Sequence, residues 1–201
     1  MRAYHLAILA SLSMTVYAQK IPLKQEIRFN KACDKGNKFV IAAVGDVLLH
    51  GPLQKKAAMR QSFESLWDDA IPYIENADLS YANLEGPTAK GVNPSGISTN
   101  DPGWEFDKYI YSGFPTFNYN PRLIQALKDS GFDIVSTANN HALDRKQLGV
   151  ERTIDALEAE NLLFTGTRKR NESEQTRPWV TIVKKRDLST AWISCTFSTN
   201  G

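Results

Sequence analysis

Amide, imidazole and carboxylate side chains follow one another in one short stretch of the chain. Asn139, Asn140 and His141 come soon after an apolar run at 132–135, and Asp144 stands three residues beyond the histidine. An apolar run of this length is typical of a buried strand, and open α/β sheets bind ligands at the carboxyl ends of their strands. The stretch is therefore a candidate reaction centre, in which His141 can exchange a proton and Asp144 can orient its ring.

Carboxylates stand at the ends of two further predicted strands. Asp46 comes after an apolar run at 39–44, and Glu85 comes after a second predicted strand at 77–82. We expect Asp46, Glu85 and Asn140 to converge on divalent metal, because carboxylate and amide oxygens suit Mg or Mn and imidazole widens the set to Fe or Zn. Two metal ions in such a site would activate water for an in-line displacement.

Each of these residues also has a purely structural explanation. Asp46 follows a glycine and could cap a turn, and Glu85 precedes Gly-Pro and could be a solvated turn residue. Asn139 and Asn140 could cap a strand–helix turn. Their joint placement at three predicted strand ends favours a metal site over three unrelated turns.

The overall composition is that of an ordinary globular protein. The 201 residues are 42% hydrophobic and 23% charged, and this length allows one domain with a real core or part of a larger one. The formal net charge of +2 comes without a block of Lys and Arg. We therefore expect no nucleic-acid partner.

The N-terminus has the pattern of a secretory signal peptide. A short positive start precedes the mostly apolar stretch 3–16, and small residues lead to a predicted cleavage site after Ala18. A buried N-terminal helix is the alternative. With a signal peptide at 1–18, we expect the protein in the periplasm, at the cell surface or outside the cell, beginning with an irregular lead-in at 19–37.

The chain contains two cysteines, Cys33 and Cys195. In an exported protein they could form one disulfide. Two separate thiols are the alternative, and the sequence alone does not decide between them.

Beyond the lead-in, strand and helix patterns alternate. We expect helical structure over 53–76, interrupted near Ser62 and Pro72, and helices at 121–130 and 143–157.

The run at 39–44 is predicted to be a central strand, because it is continuously apolar. Short strands are expected at 77–82, 132–135 and 162–164, and a hairpin at 179–197 turns at 186–187. A long loop occupies 88–119. This order predicts the α/β class with mixed strand directions.

Three motifs carry a resemblance to a known family. The segments Gly45-Asp46-Val47-Leu48-Leu49-His50, Asn83-Leu84-Glu85-Gly86-Pro87 and Ala138-Asn139-Asn140-His141-Ala142-Leu143-Asp144 resemble the bacterial capsule-synthesis CapA / PgsA family. That family is associated with poly-γ-glutamate capsules and has a calcineurin-like metallophosphatase fold. The resemblance spans 38–201 and implies an α/β/β/α sandwich with mixed sheets.

The resemblance also implies roles for single residues. Asp46 matches the first-strand metal ligand of the metallophosphatases, and Glu85 stands where they place a bridging carboxylate. Asn140 and His141 match their asparagine ligand and catalytic histidine, and Asp144 resembles the carboxylate that supports the histidine.

The chain departs from the family pattern at Lys146, where a glycine is common. It departs from the metallophosphatase pattern at two further points. Leu48 occupies the position of a histidine ligand, and His50, two residues further on, is the substitute we expect to bind metal. No histidine follows His141, so the later histidine motifs of the superfamily have no counterpart. We therefore expect 38–201 to be the N-terminal part of a metallophosphatase-like domain that is incomplete at its C-terminus.

The function that this resemblance implies is capsule polymer biosynthesis or attachment by an exported protein. Its partners would be the anionic polymer or other capsule-synthesis proteins, including membrane-proximal ones. If the complete protein is an enzyme, metal-dependent hydrolysis or transfer is expected. The alternatives are a non-catalytic binding subunit of the capsule machinery and a metal-dependent phosphoesterase unrelated to capsule.

Overall fold

The computed structural model of the protein describes residues 38–200. The predicted signal peptide at 1–18, the lead-in at 19–37 and Cys33 lie outside the described residues. In the described part, no helix has the length and apolar character needed to cross a membrane.

The described chain is an α/β structure with a parallel sheet and a separate antiparallel hairpin. Strands β1 to β4 pair side by side in chain order and are all parallel, whereas β5 and β6 pair antiparallel. The strands are β1 (Ile41–Val47), β2 (Leu79–Leu84), β3 (Ile134–Ser136), β4 (Leu163–Thr165), β5 (Thr181–Lys185) and β6 (Leu188–Trp192). The helices are α1 (Gly51–Arg60), α2 (Ile71–Glu75), α3 (Arg122–Asp129) and α4 (Lys146–Ala159), and two short 3₁₀ turns lie at Glu64–Leu66 and Asp68–Ala70.

This arrangement confirms the predicted α/β class with mixed strand directions and is consistent with part of a metallophosphatase-like fold. The helical region broken near Ser62 and Pro72 and the hairpin turn at 186–187 are also where the sequence pattern predicted them. Gly131 takes a positive φ of 87° just after α3, the conformation for which glycine is favoured at a helix end.

The two faces of the parallel sheet bury different partners. Alternate residues of a strand point to opposite faces, so Ala82 and Leu84 of β2 join the main core with α3 and α4. Leu79 faces the other way, in a smaller cluster that includes Val183 of β5. Asn83, with the same parity as Leu79, is therefore on the hairpin face at the carboxyl end of β2.

The prediction that the first strand is central was wrong. β1 is an edge strand of the described sheet, since it pairs only with β2, and Ile41 remains 48% exposed. The apolar run indicated that β1 suits burial, but it carried no information about its neighbours. The strand also extends through Asp46, where the register resumes after an irregularity between Ala43 and Asp46.

The long loop at 88–119 has an ordered fold with little regular structure. Two isolated bridges, Val92 with Ser98 and Ser112 with Asn118, close its two halves. The Asn118 amide is buried and bonds the backbone of Ala89 in both directions. The loop passes beside the carboxyl ends of the strands, since the Phe117 N–H donates to Asp144 and the Tyr119 hydroxyl donates to the Glu85 carbonyl.

Candidate active site

One amide holds two carboxylates at the end of the first two strands. Asp46 and Asn83 are register partners on β1 and β2, and Asn83 Nδ2 donates to Asp46 Oδ1 at 2.8 Å. The same Nδ2 donates to Glu85 Oε2 at 3.2 Å. Glu85 is two residues beyond Asn83, so alternation along the strand directs both side chains to one face. The structure thus brings Asp46 and Glu85 together, through a residue that the sequence reasoning did not assign to the site.

The two carboxylates lie in a negative environment. Burial raises the pKa of Glu85, and the nearby Asp46 raises it further, while His141 acts in the opposite direction. Among residues 38–200, no lysine or arginine forms an ion pair with Asp46 or Glu85. Their nearest basic group is His141, whose Nε2 is 4.0 Å from Glu85 Oε1. A cation at this position would relieve the repulsion between the carboxylates.

The segment after β3 is fastened to the end of β2 by Asn139. Its Nδ2 donates to the Leu84 carbonyl at 2.9 Å and to Asn83 Oδ1 at 3.3 Å. Its Oδ1 accepts the His141 N–H at 3.2 Å. The side chain of Asn140 makes no hydrogen bond within residues 38–200. Asn139 therefore fixes the backbone of the candidate centre, and the amide of Asn140 is left available.

His141 and Asp144 form a buried, hydrogen-bonded pair. Their Nδ1 and Oδ2 atoms are 2.7 Å apart, and Oδ2 also accepts the Phe117 N–H at 2.6 Å. An ionised carboxylate only accepts hydrogen bonds, so the hydrogen of a neutral His141 ring is on Nδ1. The lone pair on Nε2 is then available on the side of Glu85. Asp144 Oδ1 is buried and has no hydrogen-bond partner in the described part of the chain.

His50 does not join this hydrogen-bonded cluster. It is at the N-cap position of α1, and its ring meets Phe117 edge-on with 5.4 Å between centroids. Phe117 also packs edge-on against His141, at 4.7 Å. Within residues 38–200, the His50 side chain makes no hydrogen bond to Asp46, Glu85 or His141. His50 and His141 thus both pack against the ring of Phe117.

A fully buried arginine connects the long loop to the candidate centre. The Arg145 guanidinium has no exposed surface, and its burial lowers its pKa to about 10. Its partners are neutral oxygens: the carbonyls of Val92, Tyr109, Ile110 and Asp144, and Ser112 Oγ. Arg145 follows Asp144 directly in the chain. Asp144 binds the loop at Phe117, and Arg145 binds it at 92 and 109–112. The sequence reasoning missed this residue, because arginine side chains are mostly exposed and nothing in the local sequence marks this one as buried.

A residue from the far end of the described chain completes the cluster. The Asn200 N–H donates to the Asn140 carbonyl at 2.8 Å, and Asn200 Nδ2 is 3.1 Å from His141 Nδ1. No periodicity or spacing connects Asn200 with His141 in the sequence. For Asn83 a signal did exist, namely its position two residues before Glu85 on the same strand face.

A largely apolar cavity adjoins the carboxyl ends of β3 and β4. Its volume is about 470 Å³, and its lining includes Ala138, Leu143, Gly166, Trp179 and Cys195. Cys195 is exposed and has no disulfide partner among residues 38–200. Because Cys33 lies outside the described part, both alternatives, one disulfide or two separate thiols, stay untested.

The donor set fits one divalent cation bound by oxygen ligands. Asp46 and Glu85 supply two carboxylates within reach of the same amide, and their mutual repulsion favours a cation between them. The described residues include no group of three or more His, Cys, Asp or Glu side chains that could hold a metal ion. The two-metal centre suggested by the sequence thus stays a prediction.

The part of the chain that carries these motifs is similar to a protein family and to two known proteins. The family model described as bacterial capsule synthesis protein PGA_cap matches residues 40–201. The chain is 24% identical over 132 residues to the capsule biosynthesis protein CapA of Bacillus anthracis, which covers 66% of this chain and 29% of that protein. It is 25% identical over 123 residues to the PGA biosynthesis protein CapA of Bacillus subtilis (strain 168), which covers 61% and 28%. The matched stretch thus covers less than a third of either relative.

Proposed function

Because the chain belongs to the bacterial capsule synthesis family PGA_cap, we propose that it acts in the synthesis or attachment of an anionic capsule polymer, with poly-γ-glutamate as the candidate. The names of the two relatives, a capsule and a PGA biosynthesis protein, support this. An exported location follows from the signal-peptide pattern at 1–18 and is part of the proposal. The partners proposed are the polymer and membrane-proximal proteins of the capsule machinery.

The chemistry that the candidate site supports best is metal-dependent hydrolysis or transfer. The observation that carries it is the approach of two clusters, the carboxylates of Asp46 and Glu85 and the His141–Asp144 pair, with 4.0 Å between His141 Nε2 and Glu85 Oε1. A divalent ion, when bound by Asp46, Glu85 and Asn140, would supply Lewis-acid activation of water.

The residues around that position have separable tasks in this proposal. Asn83 orients the two carboxylates, and Asp144 holds the hydrogen of His141 on Nδ1. His141 presents Nε2 toward the site, and in its protonated form Nε2 can deliver a proton to a leaving group. Phe117 packs against the imidazole with its ring perpendicular to it, at 4.7 Å between centroids.

The decisive experiment substitutes Asn140 and His141 in the intact protein. We expect Asn140→Ala and His141→Ala to fold normally by circular dichroism and to abolish polymer synthesis or attachment when they replace the wild-type protein in a capsule-deficient strain. Asn171→Ala, in an exposed turn, is the matched control and should retain function. Unchanged capsule in both site variants would overturn the catalytic proposal.

The second candidate is a non-catalytic subunit that binds polymer or partner proteins. It is favoured by the absence of a group of three or more potential metal-binding side chains from the described residues. For this candidate, Asn140→Ala and His141→Ala would leave capsule formation intact. Hydrolysis of simple phosphoesters with Mn²⁺, combined with normal capsule in both variants, would instead indicate a phosphoesterase unrelated to capsule.

A further inference from the structure

Two side chains converge on the same nitrogen of His141, and the proposed function uses only one of them. Asp144 Oδ2 is 2.7 Å from Nδ1, and the Asn200 side-chain amide is 3.1 Å from it. Asn200 comes from the segment after β6, 59 residues from His141 in the chain. Its backbone N–H is bonded to the carbonyl of Asn140 at 2.8 Å, so both parts of this residue contact the candidate centre.

The hydrogen on Nδ1 decides which amide atom can face the ring. With Asp144 as acceptor, Nδ1 carries the hydrogen, and an amide NH₂ group at 3.1 Å would oppose it donor to donor. A half-turn about the Cβ–Cγ bond of Asn200 brings Oδ1 to the same place without moving the residue. The Nδ1 hydrogen is then shared by a carboxylate oxygen and an amide oxygen.

We propose that Asn200 is a positioning residue for His141, whose amide oxygen, together with Asp144, holds the imidazole in the tautomer with its hydrogen on Nδ1. The inference rests on the proposed function for its catalytic meaning, since that tautomer leaves the Nε2 lone pair on the side of Glu85. Two acceptors also fix the ring plane better than one. The segment that follows the β5–β6 hairpin thereby contributes to the site at the carboxyl ends of β2 and β3.

The test reads the tautomer directly by ¹⁵N NMR of the ring nitrogens in the intact, chelator-treated chain. The chain has three histidines, so the His141 signals are assigned by their loss in His141→Ala. Asn200→Leu removes the amide at similar volume and keeps the backbone bond to Asn140. Asn200→Asp retains an acceptor oxygen, and Asn171→Leu is the surface control. All spectra are recorded at one pH at which the rings are neutral.

We expect wild type, Asn200→Asp and Asn171→Leu to show the hydrogen on Nδ1. In Asn200→Leu the fraction with the hydrogen on Nε2 should rise about fivefold, the effect of losing one ordinary hydrogen bond. The same tautomer in Asn200→Leu and Asn171→Leu would overturn the proposal. So would an Asn200→Asp spectrum that matches Asn200→Leu, because the acceptor oxygen would then be irrelevant.

This measurement needs neither substrate nor metal, so it separates the inference from the proposed function. If the protein proves non-catalytic, a tautomer shift in Asn200→Leu still establishes the contact with His141. If turnover is found, we expect Asn200→Leu to lower kcat about fivefold with little change in KM, because a positioning residue that touches no substrate leaves binding intact. A KM increase with unchanged kcat would contradict the positioning role.

Discussion

Asn83 donates a hydrogen bond to Asp46 across two neighbouring parallel strands, and the two residues are also partners in the strand register. The bond therefore links side-chain orientation to backbone pairing at the carboxyl end of the sheet. Since the same Nδ2 reaches Glu85, a single neutral amide holds two mutually repelling carboxylates side by side.

Replacing Asn83 by alanine should weaken both the fold and cation binding. The variant loses the two hydrogen bonds that Asn83 donates and the long one that it accepts from Asn139. Since these groups are partly exposed, we expect the free energy of unfolding in urea to fall by about 1 kcal/mol. Mn²⁺ affinity measured by calorimetry should fall as well, because the carboxylates are no longer oriented. Asn171→Ala should change neither quantity. An Asn83→Ala protein that binds Mn²⁺ as tightly as wild type would show that the amide does not organise the site.

Glu85 should make folding less favourable as the pH rises from acidic values. Its folded-state pKa is raised, chiefly by burial and then by Asp46, so the folded state binds this proton more tightly than the unfolded chain does. Below the ordinary carboxyl pKa, Glu85 is protonated in both the folded and the unfolded state, so its raised pKa does not lower the free energy of unfolding. Between the ordinary and the raised pKa, the unfolded chain releases this proton while the folded state still holds it. The free energy of unfolding therefore falls as the pH rises through this window.

Glu85→Gln tests this directly. The free energy of unfolding of Glu85→Gln minus that of wild type should increase with pH through that window and then level off. Glu75→Gln, at an exposed residue, is the control and should give a flat difference. Added Mn²⁺ should stabilise wild type more than Glu85→Gln, because a cation favours the ionised carboxylate. A difference that declines with pH would contradict the assigned sign.

Asp144→Asn should separate the positioning of His141 from the fold. The amide oxygen can still accept the Phe117 N–H, but it is a weaker partner for the His141 Nδ1 hydrogen than a carboxylate. If the protein turns over substrate, we expect kcat to fall about 100-fold, within the range of general acid–base catalysis. Stability should change much less than in Asp144→Ala, which leaves the Phe117 N–H unbonded. Equal kcat in Asp144→Asn and wild type would remove Asp144 from the mechanism.

Arg145→Met should release the long loop from the centre. The substitution leaves several buried carbonyls without a donor, and we expect a loss of about 3 kcal/mol in the free energy of unfolding. Amide hydrogen exchange at 109–112 should accelerate more than exchange in the parallel sheet. Arg152→Met, on the exposed side of α4, should leave both measurements near wild type. Uniform exchange changes across the chain would argue against a local tether.

Most of the secondary structure followed from short-range patterns. The apolar stripe of α4, the break near Pro72 and the glycine after α3 depend on neighbouring residues in the sequence. They can therefore be recognised from local sequence patterns. The sequence predicted a central strand where β1 lies at the edge of the described sheet. Strand order could not be predicted, because it depends on which segments meet in space. An apolar run reports a tendency to be buried, but it does not name the neighbour that buries it.

The sequence by itself determined the family and the chemical types at the strand ends, because motifs such as Asn139-Asn140-His141 and Asn83-Leu84-Glu85 are contiguous. Only the tertiary structure decided that Asn83 bridges Asp46 and Glu85, that Arg145 is buried among carbonyls, and that Asn200 reaches His141. Those relationships join residues far apart in the chain. They arise from strand register and loop closure, which depend on the summed packing of the whole domain and leave no periodic trace at the residues themselves.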